Sequence, residues 1–144
     1  VREASEKDID KLLIMARSFI KDLRHPLNVP VDDISLTKTI ENLISSPDAV
    51  VLMTDNGAIG GLVFPYFFNA SVKTGQELFW WVNEDCRGTG EGKMLHEGFS
   101  DWVGKMGATS ITMACLNNEN LERLSALYVD AGYMPTETNF VREI

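Results

Sequence analysis

Cysteine, histidine and long apolar runs are scarce in this chain, and each scarcity removes a class of protein. Only Cys86 and Cys115 are present among 144 residues, too few for a disulfide scaffold and in keeping with a reducing, cytoplasmic compartment. His25 and His96 stand far apart with no ligand spacing around either, so no metal site is expected. No stretch approaches the roughly 18 consecutive apolar residues that cross a membrane, and the N-terminal segment lacks a secretory pattern. Basic residues are the minority, 13 against 21 acidic, for a net charge of -8. Nucleic acid requires a basic footprint and is excluded as an expected partner. An acidic surface would favour a cationic amine if carboxylates line its cleft, and otherwise serves solubility. With no internal repeat, low-complexity run or linker, residues 1–144 read as one domain, long enough to bury a core without a metal or disulfide.

The most informative stretch that is present runs Arg87-Gly88-Thr89-Gly90-Glu91-Gly92-Lys93. Three alternating glycines stand between a strand-like run, Glu77 to Val82, and a segment in which Leu95, Phe99, Trp102, Val103 and Met106 recur at helical spacing. Free backbone N–H groups at a helix start, aided by the aligned peptide dipoles, form a cradle for phosphate. Two nucleotide motifs fail against these residues. Counting from Gly88, Lys93 falls where the Walker pattern needs its second glycine, and Met94 supplies no hydroxyl for magnesium. The dinucleotide fingerprint needs G-x-G-x-x-G, whereas the spacing here is G-x-G-x-G.

The remaining match is to a third pattern. The stretch from Val82 through the glycines to Leu95 resembles the R/Q-x-x-G-x-G/A motif of the GNAT (GCN5-related) N-acetyltransferases, and Ala126-Leu127-Tyr128 with Gly132-Tyr133 resembles the family's later helix. The resemblance implies an α/β, single-domain GNAT-like fold, with a mixed central sheet of about six or seven strands and about four flanking helices. It also implies acetyl-coenzyme A as cosubstrate and direct attack by a primary amine within a ternary complex. The alternative is a noncatalytic acyl-coenzyme A-binding or regulatory domain, which would keep the glycine loop without an acid near the sulfur.

Site residues follow from the same resemblance. The amides of Gly88, Thr89, Gly90, Glu91 and Gly92 would hold the pyrophosphate, with charge-assisted bonds from Arg87 or Lys93. Glu91 is expected to turn its carboxylate to solvent. Trp81 and Val82 would offer main-chain bonds to the pantetheine arm, their side chains being otherwise core. Tyr128 corresponds to the family's tyrosine beside the coenzyme sulfur and would protonate the thiolate, although its ring also suits packing. Where the family commonly has an asparagine seven residues before this tyrosine, this chain has Leu121; Asn120 is the nearest candidate for the cofactor arm, or else a helix cap. Glu77 is a candidate base or a solvated strand-end charge, and alternation places it with Phe79 and Trp81, opposite Leu78, Trp80 and Val82.

Local signals fill in the rest. Helices are predicted over Asp8–Leu23, Leu36–Ile44, Gly92–Met106 and Asn120–Asp130, and strands over Ala49–Thr54, Gly60–Phe68, Gln76–Val82 and Thr109–Ala114. Asn56-Gly57 predicts a tight turn with positive backbone angles. Asn69 to Gly75 is read as a second hairpin connection, and one or two strands are expected between Tyr133 and Ile144. The acceptor pocket is expected between Leu23 and Leu36 and near Pro135–Phe140, with Asp32, Asp33, Glu41 and Glu137 as candidate partners for a substrate cation. The run Phe64-Pro65-Tyr66-Phe67-Phe68 reads as a strand edge or bulge and as a possible homodimer contact.

Overall fold

A computed structural model describes residues 1–144. One sheet with spatial order β1-β2-β3-β4-β5 is built from Arg2–Glu3, Ala49–Met53, Gly57–Tyr66, Asn69–Val82 and Ser110–Thr112. Neighbours are antiparallel except for the final pair, where β4 and β5 run parallel. Helices α1 (Ile9–Leu23) and α2 (Asp33–Ser45) precede β2, α3 (Glu91–Lys105) joins β4 to β5, and α4 (Leu121–Asp130) follows.

Alternation along β2 divides the core into two layers. Val51 and Met53 pack with Leu12, Met15, Ile40 and Leu43 of α1 and α2. Val50 and Leu52 pack on the other face with Leu95, Phe99 and Val103 of α3, which recur one helical turn apart and are essentially inaccessible. Each fully buried side chain of this size contributes about 1.5–3 kcal/mol, so the two helical layers are held to the sheet independently.

Helix ends follow local polar chemistry. Asp8 precedes α1 and accepts from the Ser5 amide at 2.8 Å, and α1 ends at Arg24, the chain's single non-glycine residue in left-handed backbone. The second helix starts at Asp33 rather than Leu36, because Asp32 accepts the Ser35 amide at 2.9 Å and organises the first turn.

Three expectations about strands are corrected. The sheet has five strands, not six or seven, and residues 133–144 form none. In that tail Pro135 and the polar Thr136–Asn139 run interrupt any apolar alternation, and Met134, Phe140 and Ile144 remain exposed instead of gaining a core contact. The segment from Asn69 to Gly75 is not a connection: β4 runs unbroken from Asn69 to Val82, and the hairpin tip falls at Phe67 and Phe68. Asn56-Gly57 does not form a positive-angle turn, since Gly57 lies in β3 with an ordinary φ. Glycine is needed there for space, because a Cβ would stand 2.7 Å from the Trp81 carbonyl oxygen. A register shift does fall at Pro65, where the sequence placed an edge or bulge.

Candidate active site in the cleft between β4 and β5

The pairing of β4 with β5 covers only Thr74–Ser110, Gly75–Ile111 and Gln76–Thr112. Beyond it the two strands part, and the cause is visible in the hydrogen bonds of Ala114. Its N–H donates to the Glu77 carboxylate at 3.1 Å, and its carbonyl accepts from the Tyr128 hydroxyl at 3.3 Å. Side chains thus take both backbone groups of a residue that would otherwise continue the ladder. The two candidate catalytic residues meet on this one residue.

Glu77 reaches the cleft through a bulge. Gly60 pairs with Phe79 and Gly61 with Glu77, which leaves Leu78 as an extra residue on β4. The expected grouping of Glu77 with Phe79 and Trp81 is therefore overturned. Phe79 and Trp81 face α1 together with Leu78, whereas Glu77 lies on the α3 and α4 side. Burial raises its pKa to about 7, against a smaller lowering by the Ala114 amide. At neutral pH this carboxyl is divided between its two protonation states, the condition suited to moving a proton.

Tyr128 sits half-buried at the other edge of the cleft. Burial first, and then the nearby Glu77 carboxylate, raise its pKa well above that of a free phenol, so the hydroxyl keeps its proton at pH 7. Around it are Trp80, with ring centroids 6.4 Å apart, and Tyr133, at 5.4 Å. Tyr133 and His96 Nε2 are hydrogen-bonded at 2.7 Å, and burial lowers the His96 pKa, leaving that imidazole neutral at pH 7.

The glycine loop borders the same cleft. Gly88 and Gly90 have φ of 83° and 94°, a region that side chains disfavour. A Cβ at either would meet nothing within 4 Å, so the space beside these two glycines is open. The first α3 bond runs from the Met94 amide to the Gly90 carbonyl, and the amides of Glu91, Gly92 and Lys93 lie ahead of that ladder. Thr89 closes the loop from within, its hydroxyl donating to the Cys86 carbonyl at 2.7 Å.

Charged residues of the loop are placed differently from their expected positions. Glu91 does not point to solvent: it accepts from the Thr54 hydroxyl at 2.8 Å and the Asn56 amide at 2.9 Å. Those bonds lower its pKa and tie the start of α3 to the β2–β3 turn. Arg87 folds back, donating to the Val82 carbonyl at 3.0 Å and to Asp22 at 3.3 Å while its guanidinium lies 4.7 Å from the Trp81 ring centre. Lys93 lies 3.7 Å from Glu97. Trp81 is buried, with its indole N–H donating to Asn83 at 3.0 Å. Asn120 occupies the N-cap position of α4, but its side chain makes no capping bond.

One residue was missed. The Trp80 indole N–H is buried without a partner, and its ring lies against Gly92, where a Cβ would be 3.5 Å away. An unpaired buried donor is costly, and this one lies beside the cradle between α3 and Tyr128. A tryptophan two residues before the end of the strand that feeds the glycine loop was its sequence signal. Open space at the glycines, unpaired amides and this orphaned donor together fit a ligand that carries phosphate and amide carbonyls. No group of three or more His, Cys, Asp or Glu side chains is arranged to hold a metal, and no helix is long and apolar enough to cross a membrane.

The sequence pattern described as the acetyltransferase (GNAT) family matches residues 16–133. The chain belongs to the GNAT acetyltransferase family. Members of the family transfer acetyl from acetyl-coenzyme A, the ligand class that the cradle suits. Solved structures with the same fold include a predicted acetyltransferase with acetyl-CoA from Clostridium acetobutylicum, 15% identical, covering 99% of this chain and 94% of that one, with a TM-score of 0.76. A ribosomal-protein-alanine N-acetyltransferase from Brucella melitensis is 17% identical, covers 99% and 98%, and has a TM-score of 0.70. An aminoglycoside antibiotic 6'-N-acetyltransferase from Acinetobacter haemolyticus is 18% identical, covers 99% and 97%, and has a TM-score of 0.71. Among curated proteins, no sequence matches the chain. At these identities the neighbours share the fold, and their different acceptors do not transfer to this protein.

Proposed function

We propose that this GNAT protein is an N-acetyltransferase in which a primary amine attacks acetyl-coenzyme A directly, within a ternary complex. The observation that carries the reading is the convergence of Glu77 and Tyr128 on Ala114, at the point where β4 and β5 part beside an open glycine cradle. Glu77 accepts a proton from the incoming ammonium, since only the neutral amine has a lone pair for attack. Tyr128, which holds its proton at neutral pH, hydrogen-bonds to the departing thiolate and supplies its proton.

In this reading the amides from Gly88 to Lys93 bind the pyrophosphate, and Trp80 Nε1 donates to the arm that follows. Asn120, whose side chain makes no capping bond, is free to contact the same arm from the start of α4. Arg87 acts by bracing the loop, because its donors are directed to Val82 and Asp22. The acceptor is a small or peptidic amine and not nucleic acid, consistent with the net charge of -8. Exposed Phe67 and Phe68 at the β3–β4 tip fit a homodimer contact.

Calorimetry with coenzyme A, ATP and NAD tests the cofactor, and thiol release across a panel of amines tests transfer. Coenzyme A binding without ATP or NAD binding, followed by amine-dependent thiol release, is the expected result. Coenzyme A binding with no release on any amine would favour a noncatalytic acyl-coenzyme A-binding domain.

A further inference from the structure

On the α1 and α2 side of β4 the structure holds a cavity of about 210 Å³. Thr39 is the one polar residue among its lining; Met15, Phe19, Leu36, Phe79 and Trp81 form much of the wall, with Ala58 at the base. Within the lining Ala58 is fully buried, whereas Leu78 is 46% exposed and Thr39 is exposed as well, so the cavity is closed at Ala58 and has a mouth at the β4 bulge and a second opening along α2. Its depth owes something to Gly60. A Cβ there would stand 2.3 Å from the Phe79 ring, and the missing side chain lets that ring lie low on the sheet.

The mouth is where the candidate base changes sides. Leu78 belongs to the cavity, Glu77 is its chain neighbour on the other face, and the β5 edge of β4 is unpaired beyond Gln76, while β3 continues along the opposite edge. A molecule with its apolar end in the cavity and its polar end past Leu78 would therefore enter the cleft beside the Glu77 carboxylate.

The cavity also discriminates among acceptors. No carboxylate lines it. Asp32 is engaged at the start of α2, Asp33 pairs with Arg17 at 3.1 Å and Asp22 with Arg87 at 3.3 Å. A second ammonium drawn into this space would lose its hydration without gaining a partner, whereas an apolar group would exchange water for hydrocarbon. Size narrows the choice further. A cavity of about 150 Å³ lined by apolar side chains accommodates benzene, and this one exceeds that by roughly a short alkyl arm.

We infer that this cavity binds the apolar end of the acceptor, and that the acceptor is a primary monoamine carrying a single aromatic ring on a short alkyl arm. The inference rests on the acetyltransferase reading for its reaction, but not for its binding site.

The test compares phenethylamine, ethylamine and spermidine on the intact protein, by calorimetry and by acetyl-coenzyme A-dependent thiol release. Burial of one ring predicts a kcat/KM about 10- to 100-fold higher for phenethylamine than for ethylamine, with a negative heat-capacity change on binding. Spermidine should be the poorest of the three. Ala16→Leu places extra hydrocarbon into the cavity from α1 and should cut the phenethylamine to ethylamine ratio by about tenfold. Should that variant not fold, the wild-type ratio and heat capacity decide alone. Phenethylamine binding with this signature, but no acetylation of any amine, would uphold the cavity assignment and overturn the acetyltransferase reading. Acetylation with no ring preference, or with spermidine preferred, would overturn the cavity assignment and leave acetyl transfer intact. Absence of phenethylamine binding would also overturn the assignment.

Discussion

The two sides of β4 are made from adjacent residues yet offer opposite environments. Toward α1 and α2, Leu78, Phe79 and Trp81 border a cavity whose lining is almost wholly hydrocarbon. Toward α3 and α4, Glu77 and Trp80 present a titrating carboxyl and an unpaired N–H. One inserted residue makes the difference. In a regular strand Glu77 would share its face with Phe79 and would have been buried among the aromatics of α1. The bulge at Leu78 sends it to the side where Ala114 and Tyr128 meet it, so that a shift of one position separates an apolar surface from a site able to move protons. The comparison can be broken most severely at Glu77 itself.

Glu77→Gln keeps the side-chain shape and can still accept the Ala114 amide, but removes the proposed base. Turnover on an amine should fall by roughly 10²- to 10⁴-fold. The pH profile gives a second reading. With a pKa of about 7 for Glu77, wild-type kcat/KM should rise with pH through that value as the carboxylate forms, and this limb should be missing from the variant's residual rate. An unchanged limb would assign the base elsewhere.

The same burial that tunes Glu77 carries a stability penalty. Its folded pKa, about 7, lies above the ordinary 4.5, so between those values the folded chain binds more protons than the unfolded one. Stability is therefore fullest below pH 4.5 and declines as pH rises to 7. At about 1.4 kcal/mol per pH unit, the loss is on the order of 3 kcal/mol. Urea titrations at several pH values should show wild type losing stability relative to Glu77→Gln across this window, with a constant difference above it. Parallel curves would mean that Glu77 is not titrating in a buried site.

On the opposite edge of the cleft, Tyr128→Phe removes only the hydroxyl and its 3.3 Å bond to Ala114. Turnover should fall by about 10²-fold with little change in coenzyme A affinity. The effect should be smaller than at Glu77, because the raised pKa of Tyr128 makes it a reluctant acid and solvent can take its place. Wild-type turnover under conditions where chemistry limits the rate would leave Tyr128 as packing between Trp80 and Tyr133.

The unequal legibility of these sides has physical causes. Gly88, Gly90 and the periodic Leu95, Phe99 and Val103 are local signals, and α3 and its loop lie where their spacing places them. The bulge at Leu78 is set by how β3 and β4 pair, which no pattern within β4 records. Ala114 has no side-chain chemistry at all and acts through its backbone, so nothing in its identity announces it. Asn56 and Gly57 look like a tight turn in isolation, but one serves Glu91 and the other clears the Trp81 carbonyl. Tail residues such as Phe140 and Val141 have strand propensity without a partner, and propensity alone does not form a strand.

The gentlest test concerns the α3 side and uses its two ends. Gly90 and Gly107 share left-handed backbone, with φ of 94° and 78°, and a Cβ at either would meet nothing within 4 Å. Gly90 opens the helix at the cradle, whereas Gly107 lies just beyond its exit. Alanine at each position carries the same backbone strain, about 1–2 kcal/mol, and urea titration should show similar losses for both variants. Coenzyme A affinity should separate them. In the proposed complex a methyl group at position 90 would stand where the pyrophosphate approaches the amides, and binding should weaken about tenfold, or roughly 1.4 kcal/mol. At position 107 there is no such approach, and affinity should match wild type. Because the strain is common to both, the difference between the two affinities reports the cradle alone. Equal affinities in two folded variants would remove the glycine loop as the pyrophosphate site while leaving the cleft at Glu77 and Tyr128 untouched.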